Sequence, residues 1–366
     1  QNAPITPPEK YLNFTYPEKL PSSPIEIEDC KSSFGYICGK GSYAKVYKVE
    51  YNGKTRVLRL LQRGLRAKEL ENEERGIENH KLLQRKIRKK KDSEPLSEEI
   101  KNNFYIVELY GHGTTTTTKD SDRIIELNDT HGEVGNFFSP NLPFSIIEFG
   151  QIDLFDYINR YSTSLEYGVI KEILRQISVA LNFIHQNEYV YFDLKRENII
   201  VINQENTKPI VRLIDFGMLN SLDSARDFTK GTFEYLANEN WKKKKKDDPY
   251  KCDVFSFGML MYELFTLKYG LSSPIDIYKE KPKKSRLLNY NKLNTSTFDE
   301  FPPEYSVLKP LLQLCVKKDP SQRPTMEKIV KIFSLSEEEL TEENITLILG
   351  DLMKHLNVNK KGWKLF

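Results

Sequence analysis

The chain has 366 residues, enough for two units of ordinary domain size. Its 39% hydrophobic and 29% charged content excludes a chain too polar to bury a core. A net charge of +3 is too small to argue by itself for nucleic acid or a membrane surface, and no run approaches the roughly 20 apolar residues that span a bilayer. Four scattered cysteines, Cys30, Cys38, Cys252 and Cys315, form no C-x-x-C pair and have no histidine at metal spacing, so reduced thiols in a cytoplasmic protein are expected. No signal peptide is visible; the sequence opens with Gln1, so an upstream targeting segment would lie outside it.

Residues 1–33 carry Pro4, Pro7, Pro8, Pro17, Pro21 and Pro24 among Ser, Thr and Glu, which reads as an extended arm. Tyr11, Phe14 and Tyr16 could dock that arm; a loose terminus is the competing reading. Residues 34–61 predict three strands, the last two joined by a tight turn at Asn52-Gly53. A long proline-free helix is predicted over 64–90, ending in the basic run Arg85 to Lys91. A polar insertion at 92–102 leads to a strand over Tyr105–Gly111, and Thr114 to Thr118 begin a second insertion that ends near Pro143. Phe144 to Phe149 reads as a buried strand before a hinge at Gly150. Helical patterns follow at 153–160, 167–187, 251–267, 304–316 and 325–334, with a hairpin of 199–202 and 211–214 among them. A strand-rich first third before a helix-rich remainder is an α+β layout. The expected divisions are an arm (1–33), a small β-rich lobe (34–149), a larger helical lobe (150–335) and a helical tail (336–366), where Glu337 to Glu343 precede a helical pattern over Ile345–Leu356.

The chemistry concentrates at Tyr191-Phe192-Asp193-Leu194-Lys195-Arg196-Glu197-Asn198 and Asp215-Phe216-Gly217, on either side of the short hairpin. An acid, an amine and a carboxamide at this spacing suit phosphoryl transfer: Asp193 orients a hydroxyl, Lys195 neutralises phosphate, and Asn198 with Asp215 offers hard oxygens to Mg²⁺. Gly39-Lys40-Gly41-Ser42-Tyr43-Ala44-Lys45-Val46 lies between two predicted strands, which favours a phosphate lid over a dinucleotide-binding turn. Its glycines let backbone N–H groups approach phosphate oxygens, and Ala44 stands where a third glycine is usual.

At these motifs the chain resembles the eukaryotic protein kinases, over nearly its whole length. The resemblance implies a bilobal fold and ATP- and Mg²⁺-dependent phosphorylation of serine or threonine in protein substrates. It implies Asp193 as base, Lys195 and Thr232 beside it, and Asn198 and Asp215 as metal ligands. Gly39, Gly41, Val46, Val57, Glu148 and Phe149 would cradle the nucleotide. Glu239 would pair with Arg323 of Asp319-Pro320-Ser321-Gln322-Arg323-Pro324, and Asp253 would hold the catalytic-loop backbone.

Two departures bear on activity. The family's phosphate-gripping lysine falls on Arg59 of Arg56-Val57-Leu58-Arg59, a longer planar fork in place of a point donor. Its helix partner is expected to be Glu73, with Glu78 the alternative; Lys45 or Lys40 are the candidate substitutes for the lysine itself. The His-Arg that usually precede the base are Tyr191 and Phe192, and the lost arginine is the usual receptor of an activation-loop phosphate, although Ser224 and Thr229 remain modifiable. These departures support a second reading, a pseudokinase scaffold or allosteric partner that binds nucleotide weakly or not at all. The run Lys242 to Lys246 reads either as a site for acidic or phosphorylated partners, or anionic lipid, or as a solvated loop; no clear nucleic-acid site is expected.

Overall fold

A computed structural model describes residues 37–40, 44–51, 54–61, 65, 67–93, 97–114, 127–128, 134–135, 143–161, 165–203, 209–241, 246–268 and 303–356. The proline-rich arm, Gly41 and Lys242 to Lys245 lie outside these residues, as do the side chains of Lys40 and Lys45. The chain divides into two compact units, 1–88 with 107–149 and 89–106 with 150–366.

The first unit is built on strands. β1 (Ile37–Lys40), β2 (Ala44–Tyr51), β3 (Lys54–Leu61), β4 (Leu109–Thr114) and β7 (Pro143–Glu148) form an antiparallel sheet in the order β1-β2-β3-β7-β4. The short strands β5 (Leu127–Asn128) and β6 (Val134–Gly135) pair separately. Tyr51 pairs with Lys54, so β2 and β3 are joined across the expected two-residue turn. Helix α1 (Ala67–Ser93) carries a buried stripe of Glu73, Ile77, His80, Gln84 and Ile87, spaced three and four residues apart as a one-faced helix requires. Two of its polar members share one acceptor: His80 Nε2 lies 2.7 Å and Gln84 Nε2 3.0 Å from the Val107 carbonyl. A carbonyl only accepts, so His80 donates through Nε2. Burial, opposed by this bond and aided by the charge of Arg59, lowers the His80 pKa to about 4.

The second unit is mainly helical. Its first part corrects the strand expected from Tyr105: Ser97 caps the short helix α2 (Glu98–Lys101), and Asn103, Phe104 and Tyr105 then take positive φ of 52°, 53° and 58°. Left-handed backbone is costly for such residues, and each is held by its side chain. Asn103 Oδ1 accepts from Lys91, Phe104 stacks on Phe183 at 4.3 Å, and the Tyr105 hydroxyl accepts from Arg175 at 2.8 Å. The strand starts only at Leu109.

Helix α3 (Leu154–Tyr161) and helix α4 (Tyr167–Gln186) follow β8 (Ile152–Asp153). Next come β9 (Tyr189–Val190) and the hairpin of β10 (Ile199–Val201) with β11 (Val211–Leu213), in which β10 also pairs with β8. β12 (Asn220–Ser221) pairs with β9 and leads into α5 (Leu222–Ala225) and α6 (Asn238–Trp241). Helix α7 (Tyr250–Lys268) is buried on every side over 251–266, as a central core helix must be. Gly258 makes its close packing possible: a Cβ there would sit 2.7 Å from Cys315 Cβ in α8 (Lys309–Cys315). Cys252 and Cys315 are free and buried, and burial pushes the Cys315 thiol up to about 12. Helix α9 (Met326–Phe333) buries Ile329, Ile332 and Phe333. The tail helix α10 (Glu342–Leu349) packs on α9, burying Ile345 and Leu349, and Lys328 donates to the Leu349 carbonyl at 2.9 Å. Among the described residues no helix is long and apolar enough to cross a membrane.

Candidate active site

The loop 191–198 is held by α7. Asp253 Oδ2 accepts the Tyr191 N–H and Asp253 Oδ1 the Phe192 N–H, both at 2.8 Å, while His185 Nε2 lies 2.8 Å from Oδ2. Phe192 takes φ of +66°, a conformation an aromatic residue adopts only when its surroundings enforce it. The loop then presents Asp193, which is buried. Thr232 Oγ1 donates to Asp193 Oδ1 at 2.6 Å; Lys195 Nζ reaches Asp193 Oδ2 and Thr232 Oγ1, each at 3.0 Å. Asn198 Nδ2 donates to the Asp193 carbonyl at 2.9 Å and to Asp193 Oδ2 at 2.7 Å. Both amide hydrogens of Asn198 are thereby committed to Asp193, which turns the carboxamide oxygen away from it as an acceptor.

Asp215 is tied to this group through the backbone. The Ile214 N–H donates to the Asn198 carbonyl at 3.0 Å, and the buried Tyr191 hydroxyl donates to the Ile214 carbonyl. Asp215 itself has φ of +60° and an exposed side chain, whose Oδ1 accepts the Gly217 N–H at 3.1 Å. Burial raises the Tyr191 phenol well above its usual range, and the negative charges of Asp193, Asp215 and Asp253 add to the effect. Phe216 packs edge-on against Tyr191, with ring centroids 6.0 Å apart.

Asn198 and Asp215 supply one carboxamide and one carboxylate oxygen. Among the described residues no cluster of three or more His, Cys, Asp or Glu could cage an ion alone. The two hard oxygens suit Mg²⁺, which takes few protein ligands and completes its octahedron with water and phosphate.

In the first unit, Val46 pairs across the β2–β3 ladder with Arg59, and Val57 stands two residues before Arg59 on β3. Directly opposed residues share a face, as do i and i+2 on one strand, so Val46, Val57 and Arg59 lie on one face of the sheet. Arg59 NH1 is 2.5 Å from Glu73 Oε2. Glu78 faces the other way and pairs with Lys81 at 2.6 Å. Glu148 accepts the Glu108 N–H at 3.4 Å, and the Phe149 ring lies 5.1 Å below Lys48 Nζ. The backbone of Gly39 pairs with Val46; Gly41 is not among the described residues.

The long-range partners also meet. Arg323 is fully buried and forks onto Glu239, with bonds of 2.6 and 3.0 Å. A second buried pair was not anticipated: Arg196 NH2 lies 2.7 Å from Glu263 Oε1, and the Tyr235 hydroxyl donates to Glu263 Oε2 at 2.5 Å. A lone acid in the apolar run Met261-Tyr262-Glu263-Leu264 was the available signal. At Lys246 alone the expectation of an exposed lysine is corrected: it is 3% exposed, its ammonium donates to the Phe228 carbonyl, and burial lowers its pKa, while Lys242 to Lys245 lie outside the described residues.

The sequence of the chain matches known proteins in the same sense. It is 26% identical to a probable serine/threonine-protein kinase, nek1, of Dictyostelium discoideum, over 72% of this chain and 54% of that protein. It is 28% identical to a putative serine/threonine-protein kinase, R436, of Acanthamoeba polyphaga mimivirus, over 65% of this chain and 79% of the relative. The serine/threonine-protein kinase STY17 of Arabidopsis thaliana is 24% identical over 54% of this chain and 32% of its own length. The chain thus spans about half of the Dictyostelium relative and a third of the plant one. The family model of the protein kinase domain matches residues 34–333, the stretch that carries Asp193, Asn198, Asp215, Glu239 and Arg323, and the chain belongs to that family.

Proposed function

We propose that the chain transfers the terminal phosphoryl group of ATP, with Mg²⁺, to serine or threonine hydroxyls of protein substrates. The observation that carries this reading is the closed triangle of Asp193, Lys195 and Thr232, with sides of 2.6, 3.0 and 3.0 Å. Asp193 accepts the hydrogen bond of the attacking hydroxyl and orients it. Lys195 places a positive charge beside the oxygen that becomes negative, and Thr232 keeps both in register. Asn198 and Asp215 would hold Mg²⁺, which when bound neutralises charge on the phosphates. Val46 and Val57 offer an apolar surface to the adenine, with Gly39, Glu148 and Phe149 contributing to its cradle. Arg59, oriented by Glu73, supplies the phosphate-facing cation.

Arg59 also motivates the second reading, a pseudokinase scaffold or allosteric partner. A guanidinium paired with Glu73 through NH1 presents its remaining N–H groups at angles set by that pair, and a phosphate displaced by about 1 Å can cost roughly 100-fold in rate. A phosphate-transfer assay separates the readings. The expected outcome is a measurable transfer that Asp193→Asn abolishes and Arg59→Lys raises. Absence of transfer in wild type, with no gain from Arg59→Lys, rejects the enzyme; a melting point that ATP with Mg²⁺ still raises would then mark a nucleotide-binding scaffold.

A further inference from the structure

Lys246 has an unusual setting for the end of a lysine run. Its ammonium donates to the Phe228 carbonyl and stands 5.9 Å from the centroid of the Phe192 ring. Phe192 and Phe228 pack together, with ring centroids 4.8 Å apart. The two backbones are cross-tied as well. The Lys246 N–H donates to the Arg226 carbonyl at 2.9 Å, and Arg226 NH1 donates back to the carbonyls of Lys246 and Asp247 at 3.1 and 2.9 Å.

This cluster adjoins the base on two sides. Phe192 is the residue before Asp193, in a left-handed conformation held by Asp253. Its carbonyl also lies against Gly231, where an added Cβ would come within 2.9 Å of it, and Gly231 precedes Thr232. Residues 226–232 are therefore held at one end by the Lys246 ties and at the other by the Thr232 bond to Asp193. Taking an ammonium out of water is costly unless it is bonded. Methionine would fill the same space without that cost, and it would leave the Phe228 carbonyl without this donor.

We propose that Lys246 is a positioning residue for Asp193: standing on the Phe228 carbonyl and the Phe192 ring, it holds the segment that delivers Thr232, with no phosphate needed. The cation that reaches the Phe192–Phe228 pair comes from the chain itself and is always present. The segment is then set on folding and not by modification at Ser224 or Thr229. This inference rests on the phosphoryl-transfer reading for its kinetic consequence, while its structural consequence stands apart from it.

The test uses the full chain after phosphatase treatment, as wild type, Lys246→Met and Lys246→Arg. Phosphoryl transfer is followed as kcat and KM for ATP, and amide hydrogen exchange is followed over residues 226–232. In Lys246→Met, kcat should fall about ten- to a hundredfold. KM for ATP should stay near wild type, because the bonds of Lys246 among the described residues go to Phe228 and Arg226, neither assigned to the nucleotide, and the 226–232 amides should exchange faster. Lys246→Arg, which keeps the cation, should recover most of kcat, and phosphatase should not slow the wild type. Wild-type kcat and exchange in Lys246→Met would overturn the proposal, even if its melting point fell, and so would loss of wild-type activity on phosphatase treatment. Should wild type transfer no phosphate at all, the enzyme reading fails by itself. The exchange comparison still decides: faster exchange in Lys246→Met supports the clamp, and equal exchange overturns it.

Discussion

Asp193 is oriented by three side chains from its own loop and one distant segment, and the distant contribution depends on a single glycine. Gly231 takes φ of +144°, a region L side chains rarely adopt. A Cβ there would meet Leu236 Cδ1 at 2.5 Å, which can rotate, and the Phe192 carbonyl at 2.9 Å, which Asp253 holds through the neighbouring N–H. Gly231→Ala should therefore cost about 1–3 kcal/mol of stability through strain. It should also draw Thr232 away from Asp193, lowering kcat by more than the melting point explains. Urea unfolding with parallel transfer assays measures both, and a wild-type midpoint would show that the segment yields freely. The residues of the loop were legible because Asp193, Lys195 and Asn198 sit within six positions, where spacing nearly determines geometry. The partner of Arg59 could also have been read from helical phase. Glu73 falls in register with Ile77, His80, Gln84 and Ile87, whereas Glu78 does not.

At the scale of elements, α1 stakes part of its stability on a neutral histidine. The pKa of His80 is about 4 in the folded chain, against 6.5 for the free side chain. Above pH 6.5 both states are neutral and nothing is lost. As pH falls below that, the unfolded chain binds a proton that the folded chain refuses, so stability drops until about pH 4. Between pH 7 and 5 the loss should be about 2 kcal/mol. Burial lowers His112 as well and acts in the same direction, so the informative quantity is the difference between wild type and His80→Gln. Glutamine can donate to the Val107 carbonyl without titrating, and its melting point should fall less on acidification; parallel pH profiles would remove His80 from the account.

The same region shows where sequence pattern failed. Tyr105, Val107 and Leu109 alternate as a strand should, yet the ladder begins only at Leu109. The preceding turn is held by Lys91, Phe183 and Arg175, partners 12, 79 and 70 residues away that no local window contains. Strands and helices with regular apolar phase, such as β7 and α4, were read to within a residue or two. The burial of Lys246 was hidden for the converse reason: a run of five identical residues carries no phase from which packing could be read.

Over the whole molecule, the second unit positions its chemistry with buried charge anchored on or beside one apolar helix. Along α7, Asp253 holds the loop that carries Asp193, Ser256 donates to the Tyr235 carbonyl at 2.8 Å, and Glu263 pairs with Arg196 and Tyr235. Arg323 closes the set. Besides Glu239 it donates to the carbonyls of Lys317 at 2.7 Å and Lys251 at 2.8 Å, and Lys251 Nζ donates back to the Arg323 carbonyl at 2.8 Å. Burial lowers the Lys251 pKa, with the charge of Arg323 adding to it and that of Asp248 opposing it. Such a pair contributes little net stability relative to an apolar replacement of both members, but removing one member leaves a buried charge uncompensated. Arg323→Met should destabilise the chain by about 3–5 kcal/mol. The double variant Arg323→Met with Glu239→Gln should recover a substantial part, because the orphaned carboxylate is gone. If the double variant unfolds at a lower denaturant concentration than Arg323→Met alone, the arginine acts chiefly through its bonds to the Lys317 and Lys251 carbonyls, and its ion pair with Glu239 is secondary.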